Sequence, residues 1–325
     1  MNTGAIFHPL ERERLSAVHT LGVLDGQAIP ELQAAARMAA VICAAPYGSV
    51  NIIDRETHYT VASYGSPAMN APRGSSLCAQ AILAGGVVHT SDVQQDSRFS
   101  DMPILKLIQP PVRMFVAAPL NTRNGLPIGT LRVYDEVVRD LAPEQLGALS
   151  DLAEMVMRII ELRSMAGELH ELALRDPLTG LGNRRSLTTL ARSDVPQVNA
   201  LGVIDLNSFK AINDSGGHIV GDQVLRVTAE RLRNAVGANG RVTRMGGDEF
   251  VVLMAIPGTI DQTIASLLPL LAEPLQIGAT TWPISVSIGM VMILSGESWL
   301  DAAARADIDL YERKKRAAAN LKRTA

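Results

Sequence analysis

Apolar and polar residues alternate with a period near two in two places in the first 140 residues. Gly48 to Asp54 (GSVNIID) and His58 to Gly65 (HYTVASYG) flank a polar turn at Asp54–Arg55. VRMFVAAPL and Pro127 to Asp135 flank Asn124–Gly125, a pair that suits a tight hairpin turn. Helical spacing covers Glu11 to Leu21 and Ile29 to Cys43, and a short helix is expected from about Ser76 through Ile82. The pattern predicts an antiparallel sheet with flanking helices.

Pro143 opens a helical pattern that meets no strong breaker before Pro177, with Gly167 as its one weak point. A heptad fits it. Leu152, Ile159, Ala166 and Ala173 fall at one seam position, and Met155, Leu162 and Leu169 at the other. The first half admits packing on its own domain. The second half points to a dimeric coiled coil, because the stripe continues past that domain.

Beyond Arg175 the pattern changes again. ALGVIDL (Ala200 to Leu206) predicts a buried strand, and Ser208 to Asp214 and Ile219 to Val236 predict helices. RVTRM and FVVLMAI predict strands joined by Gly246-Gly247-Asp248-Glu249. Asp261 to Leu271 is helical, Trp282 to Ile293 predicts a strand, and Trp299 to Leu321 a last helix. This order suits a helix-covered sheet of ferredoxin-like type. The whole chain is expected to be α+β, with domains at 1–145 and 175–325 and a helical coiled-coil linker at 146–174.

Composition narrows the class. The 325 residues are 47% hydrophobic and 19% charged, which suits two globular domains and excludes disorder as the main state. A formal charge of −3 carries no basic footprint for nucleic acid. Cys43 and Cys78 are too few for a disulfide scaffold and form no zinc spacing. The N-terminus carries charges where a signal peptide needs an apolar core, and no apolar run is long enough to span a membrane. A cytoplasmic protein is the expectation.

Four short stretches carry candidate chemistry. At the hairpin, two glycines permit a tight turn and close approach of a ligand. Asp248 and Glu249 then sit side by side at its tip. This is either a solvated turn or, if the strand ending in Asp205 is a neighbour, a set of hard oxygen donors for magnesium in phosphoryl transfer. After Asp205, Asn207-Ser208-Phe209-Lys210 enters a helix, where backbone amides and the Lys210 charge suit an anion. Asn213 and Asp222 flank the turn Ser215-Gly216-Gly217-His218. Each is a cap or turn residue, or a reader of guanine, whose N1–H and N2 amino donors suit a carboxylate. Only five lysines occur, among them Lys210 and Lys314.

DPLTGLGNRR, DLNSFKAINDSGGHIVGDQVL, RMGGDEF, VSIGM and ADIDLYERKK closely resemble the GGDEF domain of bacterial diguanylate cyclases, from about Arg175 to the C-terminus. The resemblance implies metal ligation by Asp205, the Leu206 carbonyl, Asp248 and Glu249. Asp248 and Glu249 become the catalytic residues, with Asp248 nearest the attacking 3′-hydroxyl. It implies substrate binding by Asn213, Asp222, Phe209, Lys210, Arg244 and Lys314, with Mg2+ or Mn2+ as cofactor and GTP as substrate. The family's inhibitory Arg-x-x-Asp falls on Gly237 and Gly240, so that site is absent. Asn207 stands where an acid is common, and Ala318 where a phosphate-binding arginine is usual.

ERERLSAVHTLGVLD, SVNIIDRETHYTVASYG, SSLCAQAI, HTSDVQQDSRFSDMP and APLNTRNGLPIGTLRVYD resemble a GAF sensor domain over about residues 8–162. A small ligand of unassigned chemistry is the implied partner. Cys78 lacks the adjacent histidine of bilin photoreceptors, His58 and His89 are core or surface residues unless they bind haem or a metal, and the two thiols form a redox pair only if they meet. Together the two resemblances imply a GAF-regulated diguanylate cyclase. It would act as a homodimer through the linker helix and GAF domain, away from nucleic acid and membrane. The alternative is a catalytically impaired GGDEF module that binds GTP or a partner.

Overall fold

The computed structural model describes residues 7–26, 28–106, 111–190, 194–195, 197–238 and 240–324. The chain divides into two compact units, Met1–Glu168 and Leu169–Ala325.

The first unit contains α1 (Glu11–Thr20), α2 (Pro30–Ile42), β1 (Tyr47–Ile53), β2 (Thr57–Tyr64), β3 (Ala71–Pro72), α3 (Leu77–Ala81), β4 (Val88–Thr90), β5 (Met114–Asn121) and β6 (Pro127–Asp135). Its sheet runs β3-β2-β1-β6-β5-β4, with every neighbouring pair antiparallel. The two hairpins and their flanking helices follow the sequence pattern. The short strands β3 and β4 have too few residues to show a period.

The two sides of this sheet differ. One buries Val50, Ile52, Val116, Leu131 and Val133 against Leu32, Ala36, Ala39 and Cys43. The other packs Ile53, Phe115 and Tyr134 against Leu77, Cys78, Ile82 and Phe99. Cys43 and Cys78 thus lie in cores on opposite faces and cannot form a redox pair. Burial pushes the Cys43 thiol up to about 11, which leaves it inert. Glu11 ties α1 down: it accepts from Arg14 (Nη2, 2.8 Å) and from Arg73, both buried. Burial works to raise its pKa, but these two guanidinium groups outweigh that and lower it to about 2.

α4 (Pro143–Ala173) carries the chain toward the second unit. Leu149, Leu152, Val156 and Ile160 join the first unit's core, so this half of the expected linker is domain structure. Leu152, expected at the seam, is 6% exposed, whereas Met155, Leu162 and Leu169 are 60% or more exposed. The core takes one edge of the heptad stripe at Leu152 and leaves the edge at Met155, Leu162 and Leu169 exposed.

The second unit contains β7 (Gly182–Asn183), α5 (Arg184–Thr189), β8 (Ala200–Leu206), α6 (Phe209–Val236), β9 (Arg241–Gly246), β10 (Glu249–Met254), α7 (Ile260–Leu271), β11 (Leu275–Ile277), β12 (Thr280–Trp282), β13 (Val286–Met292) and α8 (Trp299–Thr324). The main sheet runs β13-β8-β10-β9-β7, and its first four strands follow the ferredoxin-like order. The strand expected from Trp282 to Ile293 is split. Trp282 pairs with Leu275 in a separate hairpin, and Pro283, which has no N–H for a ladder, separates the two parts. α8 lies directly on β13: a methyl group at Gly289 would collide with the Ala306 carbonyl and the Leu310 amide.

Candidate active site

β8 is apolar and buried through Ile204, then carries the half-buried Asp205 just before its last residue, Leu206. Glu249 is the residue directly across from Asp205 on β10. Leu206 N–H donates to the Asp248 carbonyl at 3.3 Å. The strand end and the hairpin tip therefore meet. Two facing carboxylates repel, and Lys314 of α8 offsets this by donating from Nζ to Asp205 Oδ1 at 2.6 Å.

Among the described residues, no three Asp, Glu, His or Cys side chains close into a group that could hold a metal ion. The full convergence of Asp205, Asp248 and Glu249 expected from sequence is thus limited here to the cross-strand pair and the Asp248 main chain. The donor set is nonetheless all hard oxygen, and the Lys314 ammonium stands against Asp205 as its cationic partner. Oxygen donors of this kind suit a divalent ion of the magnesium or manganese type.

The turn itself is held from below. Gly247 has φ +53, a conformation that favours glycine. Its carbonyl accepts from Arg244 Nε at 3.0 Å and Nη2 at 2.7 Å, while Arg244 Nη1 donates to the Asp176 carboxylate at 3.0 and 3.1 Å. All three guanidinium nitrogens thus have protein acceptors, and Arg244 shapes the turn. Asp176 also accepts from the Thr179 amide at 2.9 Å and hydroxyl at 2.6 Å. Burial works to raise its pKa, but Thr179 and Arg244 together hold it below the ordinary carboxylate value.

Between β8 and α6, Ser208 adopts a left-handed φ of +58, unusual for a residue with a side chain. Asn207 is tied to the strand beside it. Its Nδ2 donates to Ser285 Oγ at 2.9 Å, and Ser287 Oγ donates to its Oδ1 at 2.8 Å. Lys210 is exposed in the first turn of α6, and Phe209 packs on the core. The two expected helices form one run bent at Gly217, where φ is +76. Asn213 and Asp222 lie half-buried on either side of the bend. Gly221, beside Asp222, leaves the space that Asn213 Oδ1 occupies.

Gly237 caps the end of α6. It lines a cavity of about 600 Å³ with Gly240, Arg175, Arg233 and Arg241, and no carboxylate among the described residues faces it. Ala318 falls on α8, and its side chain lies outside the described residues. Sequence reasoning missed Asp176, Thr179, Ser285 and Ser287 as supports of the site. The Asp-x-x-Thr-Gly spacing at Asp176 is a turn signal that could have found the first two.

A left-handed residue between β8 and α6, a bent helix carrying a half-buried carboxylate, and paired acids at a Gly-Gly turn make up the layout of this unit's strand ends. The chain belongs to the GGDEF family, and a GAF domain precedes its GGDEF domain. The family model described as diguanylate cyclase, GGDEF domain, matches residues 173–320, and that of the GAF domain matches residues 28–160. An uncharacterised 19.3 kDa protein of Streptomyces ambofaciens is 36% identical over 149 residues, covering 44% of this chain and 80% of that protein. Diguanylate cyclase DgcN of Escherichia coli is 32% identical over 202 residues, covering 59% of this chain and 49% of the relative. The solved structure of a sensory box/GGDEF family protein from Caulobacter crescentus is 34% identical at a TM-score of 0.40, covering 44% of this chain and 99% of that one. The chain spans less than half the length of several curated relatives, including 20% of the Bacillus subtilis signalling protein YkoW and 44% of the Caulobacter response regulator PleD. No helix among the described residues is long and apolar enough to cross a membrane.

Proposed function

We propose that the chain is a diguanylate cyclase that condenses two GTP into cyclic di-GMP and two pyrophosphates under the control of its GAF domain. The observation that carries this reading is the cross-strand pairing of Asp205 with Glu249 at the Gly246-Gly247 turn, inside the GGDEF match.

In each half of the reaction, the 3′-oxygen of one GTP bonds to the α-phosphorus of the other. The bond from that phosphorus to the departing pyrophosphate breaks, and the hydroxyl proton leaves. Asn213 and Asp222 accept the guanine N–H donors, which sets the base. Lys210, Lys314 and the amides after Asp205 hold phosphate oxygens. Asp248 lies closest to the attacking hydroxyl and receives its proton. A magnesium or manganese ion held by Asp205, the Leu206 carbonyl, Asp248 and Glu249 would supply charge neutralisation at the phosphates.

One domain holds one GTP, so two chains must face each other. The exposed stripe of Met155, Leu162 and Leu169 supports a homodimer along α4. The test is incubation of the pure chain with GTP and magnesium, followed by mass analysis of the products. Cyclic di-GMP should form, and Asp248→Ala should reduce its rate at least ~10²-fold. Near wild-type turnover by that variant would refute the mechanism. GTP binding without product in the parent chain would favour the impaired module.

A further inference from the structure

The first unit holds a polar layer that the cyclase reading does not use. On the side of its sheet facing α3, Ser49, Asn51, His58 and Thr130 are buried, where the opposite side is apolar. Thr130 Oγ1 has no hydrogen-bond partner among the described residues, and the hydrogen bonds of the other three have a fixed direction. Asn51 Nδ2 donates to Ser49 Oγ at 3.0 Å, so Asn51 Oδ1 is the acceptor for Thr60 Oγ1 at 3.1 Å and His58 Nε2 at 2.9 Å. His58 Nδ1 then accepts from the Ser76 hydroxyl at 2.9 Å. Burial pushes His58 down to about 3, which keeps it neutral. Both of its ring nitrogens are satisfied, which leaves no ligand position for haem or a metal.

Arg132 differs. Its Nε donates to Ser49 Oγ at 3.0 Å, and its guanidinium lies 5.0 Å from the centre of the Tyr134 ring. Among the described residues its two terminal nitrogens have no acceptor, and no carboxylate pairs with it. Beside it is a cavity of about 130 Å³, walled by Met69, Leu77, Ile104, Val112 and Tyr134 with three serines and His58 at its polar edge, and among the described residues Arg132 is its one charged lining group. A cavity of roughly 150 Å³ accommodates benzene, so a body of about six non-hydrogen atoms, one ring, marks the upper size.

We propose that this cavity binds a small organic carboxylate: an apolar body about the size of one ring, with its two oxygens paired to the terminal nitrogens of Arg132. The guanidinium fork matches a carboxylate in geometry and charge. The apolar walls reject a bare inorganic anion, which would leave them uncovered while losing its own hydration. This deepens the sensor reading of the first unit by naming the chemistry of its ligand. Binding is measured without turnover, so the outcome is independent of whether the second unit cyclises GTP.

Ligand-observed NMR and titration calorimetry on the full chain should use benzoate, benzamide and inorganic phosphate. Benzoate should bind saturably, with benzamide and phosphate at least about tenfold weaker. Arg132→Gln should weaken benzoate by about tenfold to a hundredfold, the loss expected for a charge-assisted pair. The comparison of benzoate with benzamide needs no variant, so a folding defect in Arg132→Gln leaves the test intact. Benzamide or phosphate binding as tightly as benzoate would overturn the proposal. So would unchanged affinity in a folded Arg132→Gln, or no benzoate binding at about 10 mM, tenfold above a millimolar Kd.

Discussion

Asp176→Asn isolates the support beneath the catalytic turn. The wild-type carboxylate takes two contacts from Arg244 Nη1, at 3.0 and 3.1 Å, and two from Thr179. The amide can keep the Thr179 bonds through its remaining oxygen, so the change removes charge with little change of shape. The two side chains are 12% and 17% exposed, so the Arg244 guanidinium would be left nearly buried without its counter-charge. Breaking a fully buried pair costs about 3–5 kcal/mol. Partial exposure lowers this to about 2–3 kcal/mol, because water reaches part of the guanidinium. For a unit of this size, about 2–4 °C of melting temperature accompanies each kcal/mol. Calorimetry should therefore show the transition of the second unit falling by about 4–12 °C, with that of the first unchanged. Arg244 would also hold the Gly247 carbonyl less firmly, so kcat for pyrophosphate release should fall more than GTP affinity does. An unshifted transition together with a wild-type rate would refute the idea that this pair braces the turn.

Gly221→Ala should push Asn213 aside and raise the KM for GTP, with the GTP-to-ATP preference in competition binding falling as well. Glu11 has its pKa lowered from 4.5 to about 2 in the folded chain, so its stabilisation is complete above pH 4.5 and is lost as pH falls toward 2. Acid titration of the first unit by circular dichroism should show this limb, and Glu11→Gln should remove it. Cyclic di-GMP titrated into initial-rate assays should give no inhibition at low micromolar concentration, since the carboxylate of the family's inhibitory motif is missing at Gly240. Insertions of one to seven residues near Ser164 should change activity periodically, with recovery at seven; a flat response would exclude control through the α4 seam.

The strands and helices that frame the site were legible because their periods are strong and their turns carry Gly or Asn-Gly. Asp205 and Glu249 stood out because each ends or begins an apolar run, where a charge has no place except at an edge, but that they face each other came only from the strand register. The role of Arg244 was not legible. Its partners, Asp176 and the Gly247 carbonyl, are brought to it by tertiary folding, and one of them is main chain. The choice between seam and core for Leu152 was open for a similar reason. A heptad and a core-facing stripe share apolar residues, and only packing shows that Leu152 is buried while Met155, three residues on, is exposed. The Arg132 cavity has no sequence signature at all, since its walls come from separate loops and strands.

The bare backbone contact of α8 with Gly289 has an evolutionary consequence. Leu310 rests on that glycine, and Lys314 lies one helical turn further along the same face, reaching Asp205 on the neighbouring strand. A descendant that gained a side chain at 289 would have to lift α8 from the sheet, drawing the ammonium of Lys314 away from its carboxylate. Inheritance at the two positions should therefore be linked. Where a lineage fills the glycine, the lysine should be lost or moved along the helix, even though position 289 itself meets no nucleotide.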